Sequence, residues 1–157
     1  MKSTSELIDA LDHIKSSLER ISVDNGYNTS PQIKRGWLQH VFKAHSRTPV
    51  EFPVIAYRAE LSDPQSSVDG NSNIKDSMTV VIDAAVSTKE NDADEAVDSL
   101  LNLLKDLRRS LVFDPNNVKL KHSSLIYGEC PFDLPDTGDE YAFFSQKIII
   151  EVVEQYA

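Results

Sequence analysis

The run "YAFFSQKIIIEVVE", residues 141 to 154, constrains this chain more than any other stretch. Its even positions Ala142, Phe144, Ile148, Ile150 and Val152 are apolar. A period of two is what a strand converts into one buried face. Phe143, Ile149 and Val153 add apolar side chains on the odd face, so much of this strand is expected to be covered on both sides. A second alternating segment, "MTVVIDAAVST", puts Met78, Val80, Ile82, Ala84 and Val86 on one face and Thr79, Asp83 and Ser87 on the other. Strands with one apolar face need a second layer to close the core.

Two segments have the helical period that such a layer requires. Leu7, Leu11, Ile14, Leu18 and Ile21 recur at spacings of four and three, which places them on one helical face. Ser3-Thr4-Ser5-Glu6 reads as a capping box, with Ser3 as cap and Glu6 reaching back. Asp24-Asn25-Gly26 reads as the stop, with Gly26 suited to the left-handed position after the last turn. The second helix is expected from Asp92, with Glu95 three residues later and Asp94 in its first turn. Val97, Leu100, Leu101, Leu104, Leu107 and Leu111 form its apolar face, and Lys105, Arg108 and Arg109 complement the dipole at its end. Asp114-Pro115-Asn116-Asn117 stops it, after a length of about 30 Å.

The remaining segments fill in the sheet. Residues 27 to 37 suggest a short strand broken near Pro31, followed by a basic, irregular loop from Leu38 to Pro49. "FPVIAYRAEL", residues 52 to 61, has strand composition, with Pro53 at its start, where proline is tolerated. Residues 62 to 77, "SDPQSSVDGNSNIKDS", are expected to be a mobile polar loop or projecting hairpin tip. Residues 118 to 130 hold a strand with Leu120, Leu125, Ile126 and Tyr127, and a proline-rich turn leads to the last strand. The expected order is α-β-β-β-α-β-β. This is an α+β fold: a mainly antiparallel sheet of four to five strands packed by two helices, in a single domain over residues 1–157.

Sixteen basic against 25 acidic residues give a net charge of −9, which argues against general nucleic-acid binding. Apolar runs are far shorter than the roughly 20 residues of a membrane span. Met1-Lys2 leads into a polar segment rather than a secretory signal, so an intracellular protein without membrane partners is expected. Cys130 is the only cysteine and is expected to be a small, buried or half-buried apolar residue. His13, His40, His45 and His122 are scattered, and no HExxH, GxSxG, Walker or GxGxxG pattern occurs. For a metal-dependent nuclease, Asp83 could supply one carboxylate and Asp139 and Glu140 others. Lys147, however, lies seven residues beyond Glu140, about 23 Å along an extended strand, too far to share one metal-bound water.

The segment with Lys34, Arg35, Lys43 and Arg47, interleaved with Trp37, Phe42 and Phe52, has two main readings. It is a solvated loop with Trp37 in the core, or a protein contact patch, where Trp and Arg are favoured anchors. Stacking on single-stranded nucleic acid is the weakest alternative, given the net charge.

The order of these features resembles a known family. The first helix exits in Gly-Tyr-Asn-Thr (residues 26 to 29), Arg35-Gly36 follows, and then "FPVIAY". An alternating strand, the helix "LLNLLKDLRRSL" and a long apolar last strand complete the pattern. The whole is similar to the small tail terminator proteins of tailed bacteriophages and phage tail-like particles. The resemblance implies a structural virion protein with no cofactor and no catalytic residue, assembled in the host bacterial cytoplasm. Six copies would form a ring that caps the tail tube, ends polymerisation and joins head-side neck proteins. Implied partners are further copies of the chain, the tail tube protein, the sheath protein and neck or connector proteins. DNA would pass through the ring without specific binding. On this reading, ring or tube contacts are expected at Lys34, Arg35, Trp37, Arg47, Asp69 and Lys75. The competing readings are a head–tail connector of the same particle, a metal-dependent nucleic-acid-processing enzyme, and an adaptor domain with no phage connection.

Overall fold

A computed structural model describes residues 5–44, 50–65, 73–88, 93–112, 125–134 and 141–155. The elements run α1 (Glu6–Glu19), β1 (Gln32–Arg35), α2 (Leu38–Ala44), β2 (Val54–Gln65), β3 (Asn73–Ser87), α3 (Ala93–Val112), β4 (Leu125–Tyr127), β5 (Phe132–Asp133) and β6 (Tyr141–Gln155). The protein is α+β, as its periodicities predict. Among the described residues the sheet has six strands rather than four or five, in the order β1-β2-β3-β6-β4, with β5 also paired to β6. Every pairing is antiparallel except that of β1 with β2.

The alternating faces predict burial well. Met78, Val80, Ile82 and Ala84 of β3 and Ala142, Phe144, Ile148 and Ile150 of β6 pack with Leu11, Ile14 and Leu18 of α1 and Leu100, Leu103 and Leu107 of α3. Burying each of the larger apolar side chains in this layer contributes about 1.5–3 kcal/mol. The α3 stripe corrects one expectation: Leu103 is buried, whereas Leu101 points out and is 46% exposed. The even face of β6 also buries two polar residues, Gln146 and Glu154.

Helix ends differ from expectation in instructive ways. Ser5, not Ser3, caps α1, and its hydroxyl accepts the Leu7 N–H. The expected partner of the Glu6 side chain, Ser3, lies outside the described residues, and the Glu6 N–H donates to Glu154 at the far end of β6. The helix stops at Glu19, and a separate 3-10 turn, Val23–Asn25, follows. Gly26 is left-handed (φ 85°), as expected, but it closes that turn rather than the helix.

Two stretches, one expected as a loop and one as a loop or hairpin tip, contain regular structure in their described parts. The Leu38–Pro49 region opens with α2, whose Leu38 and Val41 pack with Val54, Ala56 and Ala85 on the sheet face opposite α1 and α3. Of the polar stretch 62–77, residues 62–65 and 73–77 are paired, because β2 and β3 continue in register as far as Gln65 opposite Lys75, which fits the hairpin form of the expectation; residues 66–72 lie outside the described residues. β6 flanks the same part of β3, so non-local pairing fixes residues whose composition alone gives no strand signal. The expected double coverage of β6 holds where α2 packs near Tyr141 and Phe143 and in part at the half-buried Ile149, whereas Val153 is 54% exposed.

Candidate functional site

The stretch "NGYNTSPQIKRGW" divides into a clamp and a surface. The clamp lies on α3. Asp106 is fully buried and accepts the Asn28 N–H at 3.1 Å, the Asn28 Nδ2 at 3.0 Å and the Thr29 hydroxyl at 2.6 Å. One turn further on, Arg109 donates to the Gly26 carbonyl at 2.9 Å and covers the Tyr27 ring at 4.7 Å. Positions i and i+3 of one helix therefore hold the turn after α1 in place. Arg109 thus has tertiary partners beyond its place at the helix end. So has Arg108, which donates twice to the buried Gln146 Oε1 and faces the Tyr127 ring. Gln146 donates in turn to the carbonyls of Gly128 and Lys147, tying α3, β6 and the β4–β5 connection together.

Beyond β1 the chain crosses the sheet edge at Gly36, whose φ of 119° only glycine adopts readily. This crossing separates residues that are adjacent in sequence. Exposed Arg35 stays on the side of α1 and joins Leu7, Ile8, Leu11 and Glu60 around a shallow depression. Its charge partly offsets the burial that raises the Tyr57 hydroxyl above its ordinary pKa. Trp37, 51% exposed, goes to the opposite face, while Lys34 is half-buried. Phe42 and Phe52 form a ring cluster with Tyr141, with Phe42 and Tyr141 centroids 4.7 Å apart, so both belong to the packing of α2. The basic and aromatic segment is therefore not a single patch.

Trp37 stands at one wall of a cleft of about 430 Å³ between α2 and the sheet, lined also by Leu38, Gln39, Arg58, Asp83, Asp133, Tyr141 and Phe143. Arg58 lies over the indole at 5.4 Å and pairs with Asp83 at 2.6 Å, both side chains being 13% exposed. Asp83, the carboxylate considered for metal chemistry, thus faces a guanidinium. Among the described residues no group of three or more His, Cys, Asp or Glu side chains comes together. Asp139 and Glu140 lie outside the described residues. Cys130 is half-buried against the core; burial pushes its thiol up, with Arg108 partly opposing. A raised thiol is poorly suited to act as a nucleophile.

Beyond α2, no helix among the described residues covers the second sheet face, on which Thr79 and Ile149 are half-buried. A cross-strand row runs Leu61–Thr79–Ile149–Ile126 through β2, β3, β6 and β4. Leu61 and Ile126, at its ends, are 60% and 50% exposed. Lys75 lies further along this face and pairs with Glu151 at 3.3 Å. It is eight residues from Asp83 on β3, about 26 Å, so it does not belong to the Trp37 cleft. Arg47 and Asp69 lie outside the described residues. Past Tyr57, β2 has no outer partner among the described residues, but a bulge between Ala59 and Leu61, Pro64 and the acids Glu60 and Asp63 guard that edge. Such features discourage strand addition at this edge. The signal of the sheet face beyond α2 in the sequence is the set of odd apolar positions of β6, Ile149 among them, expected to be covered within the chain.

No helix among the described residues is long and apolar enough to cross a membrane. Scans against protein-family models and curated proteins find no match.

Proposed function

We propose that this chain is a structural subunit that works through contact surfaces, in the role of a phage tail terminator: a ring of six copies capping the tail tube. The sheet face beyond α2, with the row Leu61–Thr79–Ile149–Ile126 exposed at its Leu61 and Ile126 ends, carries this reading. Leucine and isoleucine exposed at the two ends of one cross-strand row are apolar surface that a single copy leaves in water, and subunit contacts would bury it. The acid excess suits a ring whose lumen admits DNA without holding it, because carboxylates and phosphates repel. Tube, sheath and neck proteins are the partners that this role requires, and the virion tail is its location.

Native mass spectrometry, alone and with tube protein, tests the proposal. The unmodified chain should give sixfold assemblies. A Leu61→Lys, Ile126→Lys double variant should remain folded by circular dichroism yet stay monomeric. A chain that is monomeric even on tubes, or a double variant that still forms rings, would overturn the assignment of the face.

A further inference from the structure

The Trp37 cleft has a chemistry that ring assembly does not account for. Its walls are the aromatic side chains Trp37, Tyr141 and Phe143, and its charged groups are Arg58, Asp83 and Asp133. Arg58 and Asp83 neutralise each other at 2.6 Å, and Arg58 also lies 4.0 Å from Glu60. The Arg58 Nε is buried and lacks a hydrogen-bond partner among the described residues, but it is closed off from any guest. That leaves Asp133, an exposed carboxylate on β5 that has no ion-pair or hydrogen-bond partner among the described residues. In the sequence, Asp136, Asp139 and Glu140 follow before Tyr141, with no lysine or arginine between.

An anionic guest would meet an uncompensated carboxylate, and a neutral apolar guest would strip water from it without replacing the lost hydrogen bonds. A cation gains from both the carboxylate and the rings. Between the two protein cations, the guanidinium is the better match. It is planar, more weakly hydrated than an ammonium, able to lie along aromatic side chains and able to donate two parallel hydrogen bonds to one carboxylate. We infer that the cleft between α2 and the sheet is a receptor for an arginine side chain of a partner protein, with Asp133 as the anionic anchor and Trp37, Tyr141 and Phe143 as the walls. This inference does not depend on the terminator reading; it holds for any partner that presents an arginine.

Trp37 is the only tryptophan, so its fluorescence reports on the cleft directly. The full chain is titrated at one fixed, mildly alkaline pH, so that only the probe changes along the series. The probes are Nα-acetylarginine amide, the matching citrulline and lysine amides, and acetate. The arginine probe should give a saturable change in the millimolar range. The citrulline probe, which keeps the shape and loses the charge, should give none, and the lysine probe should bind at least threefold more weakly. Asp133→Asn should weaken the arginine probe at least threefold with an unchanged circular dichroism spectrum. Asp133→Lys, at the same exposed position, should abolish its binding. No saturable response to arginine, equal binding of citrulline or lysine, binding of acetate, or unaltered binding in folded Asp133 variants would each overturn the inference.

Discussion

Asp106 shows how one side chain can fix a turn that its own sequence leaves open. It is fully buried on α3 and serves three donors from Asn28 and Thr29, residues about 77 positions away. Hydrogen bonds to a charged acceptor are each worth about 1.5–3 kcal/mol, partly offset when the freed donors reach water. Asp106→Ala should therefore lower stability by about 2–4 kcal/mol in urea unfolding, whereas Arg109→Ala, at the exposed rim of the same clamp, should cost about 1 kcal/mol or less. Cys130 makes a second prediction at this scale. Burial raises its thiol, so at any given pH a smaller fraction is thiolate than in a free peptide. Alkylation by iodoacetamide should be slower than for a cysteine peptide, with its rate rising at higher pH. The linkage has the same sign for Tyr57 and Tyr127, which burial also raises. Their contribution to stability is complete below the ordinary values and is lost as pH climbs through the raised ones, so unfolding midpoints should fall on the alkaline side.

At the scale of elements, legibility follows the range of the interactions that fix each one. α1 and α3 are long enough for a 3.6-residue period to show, and β3 and β6 for a period of two. The seven-residue α2 offers only Leu38 and Val41 as an apolar pair, too little to separate it from the basic loop around it. β1 is four residues long and joins β2 in parallel, a pairing that composition does not encode. The outer ends of β2 and β3 are polar, and only their register with each other and with β6 makes them strands. Trp37 and Arg35 were legible as contact candidates, but not their division between two faces, which turns on the φ of Gly36. Because pairing reaches Gln65 and Lys75, the hairpin should not need the whole of residues 66–72. Replacing them with a short Asn-Gly turn lowers the loop-closure cost only slightly, so the thermal midpoint should hold or rise by a few degrees. If the segment makes contact with the tube, the same variant should give tails of uncontrolled length. A folded variant with normal tails would remove 66–72 from the contact surface.

At the scale of the whole molecule, two terms oppose each other in any self-assembly. Each copy has a net charge of −9, so bringing copies together costs repulsion. The sheet face beyond α2 offers apolar burial at Leu61, Ile149 and Ile126, and burial of this kind does not weaken with salt. The Debye length falls from about 10 Å at 0.1 M salt to about 3 Å at 1 M, so added salt removes most of the repulsion between exposed charges. If the apolar row makes the ring contact, assembly should strengthen as sodium chloride rises from about 0.05 to about 0.5 M, read by sedimentation velocity at fixed protein concentration. A contact built on ion pairs at Arg35 or Lys75 responds in the opposite direction, because the same screening weakens attraction. The sign of the salt dependence thus discriminates between that face and the charged contacts. Dissociation at high salt would move the interface to the charged residues and away from the row.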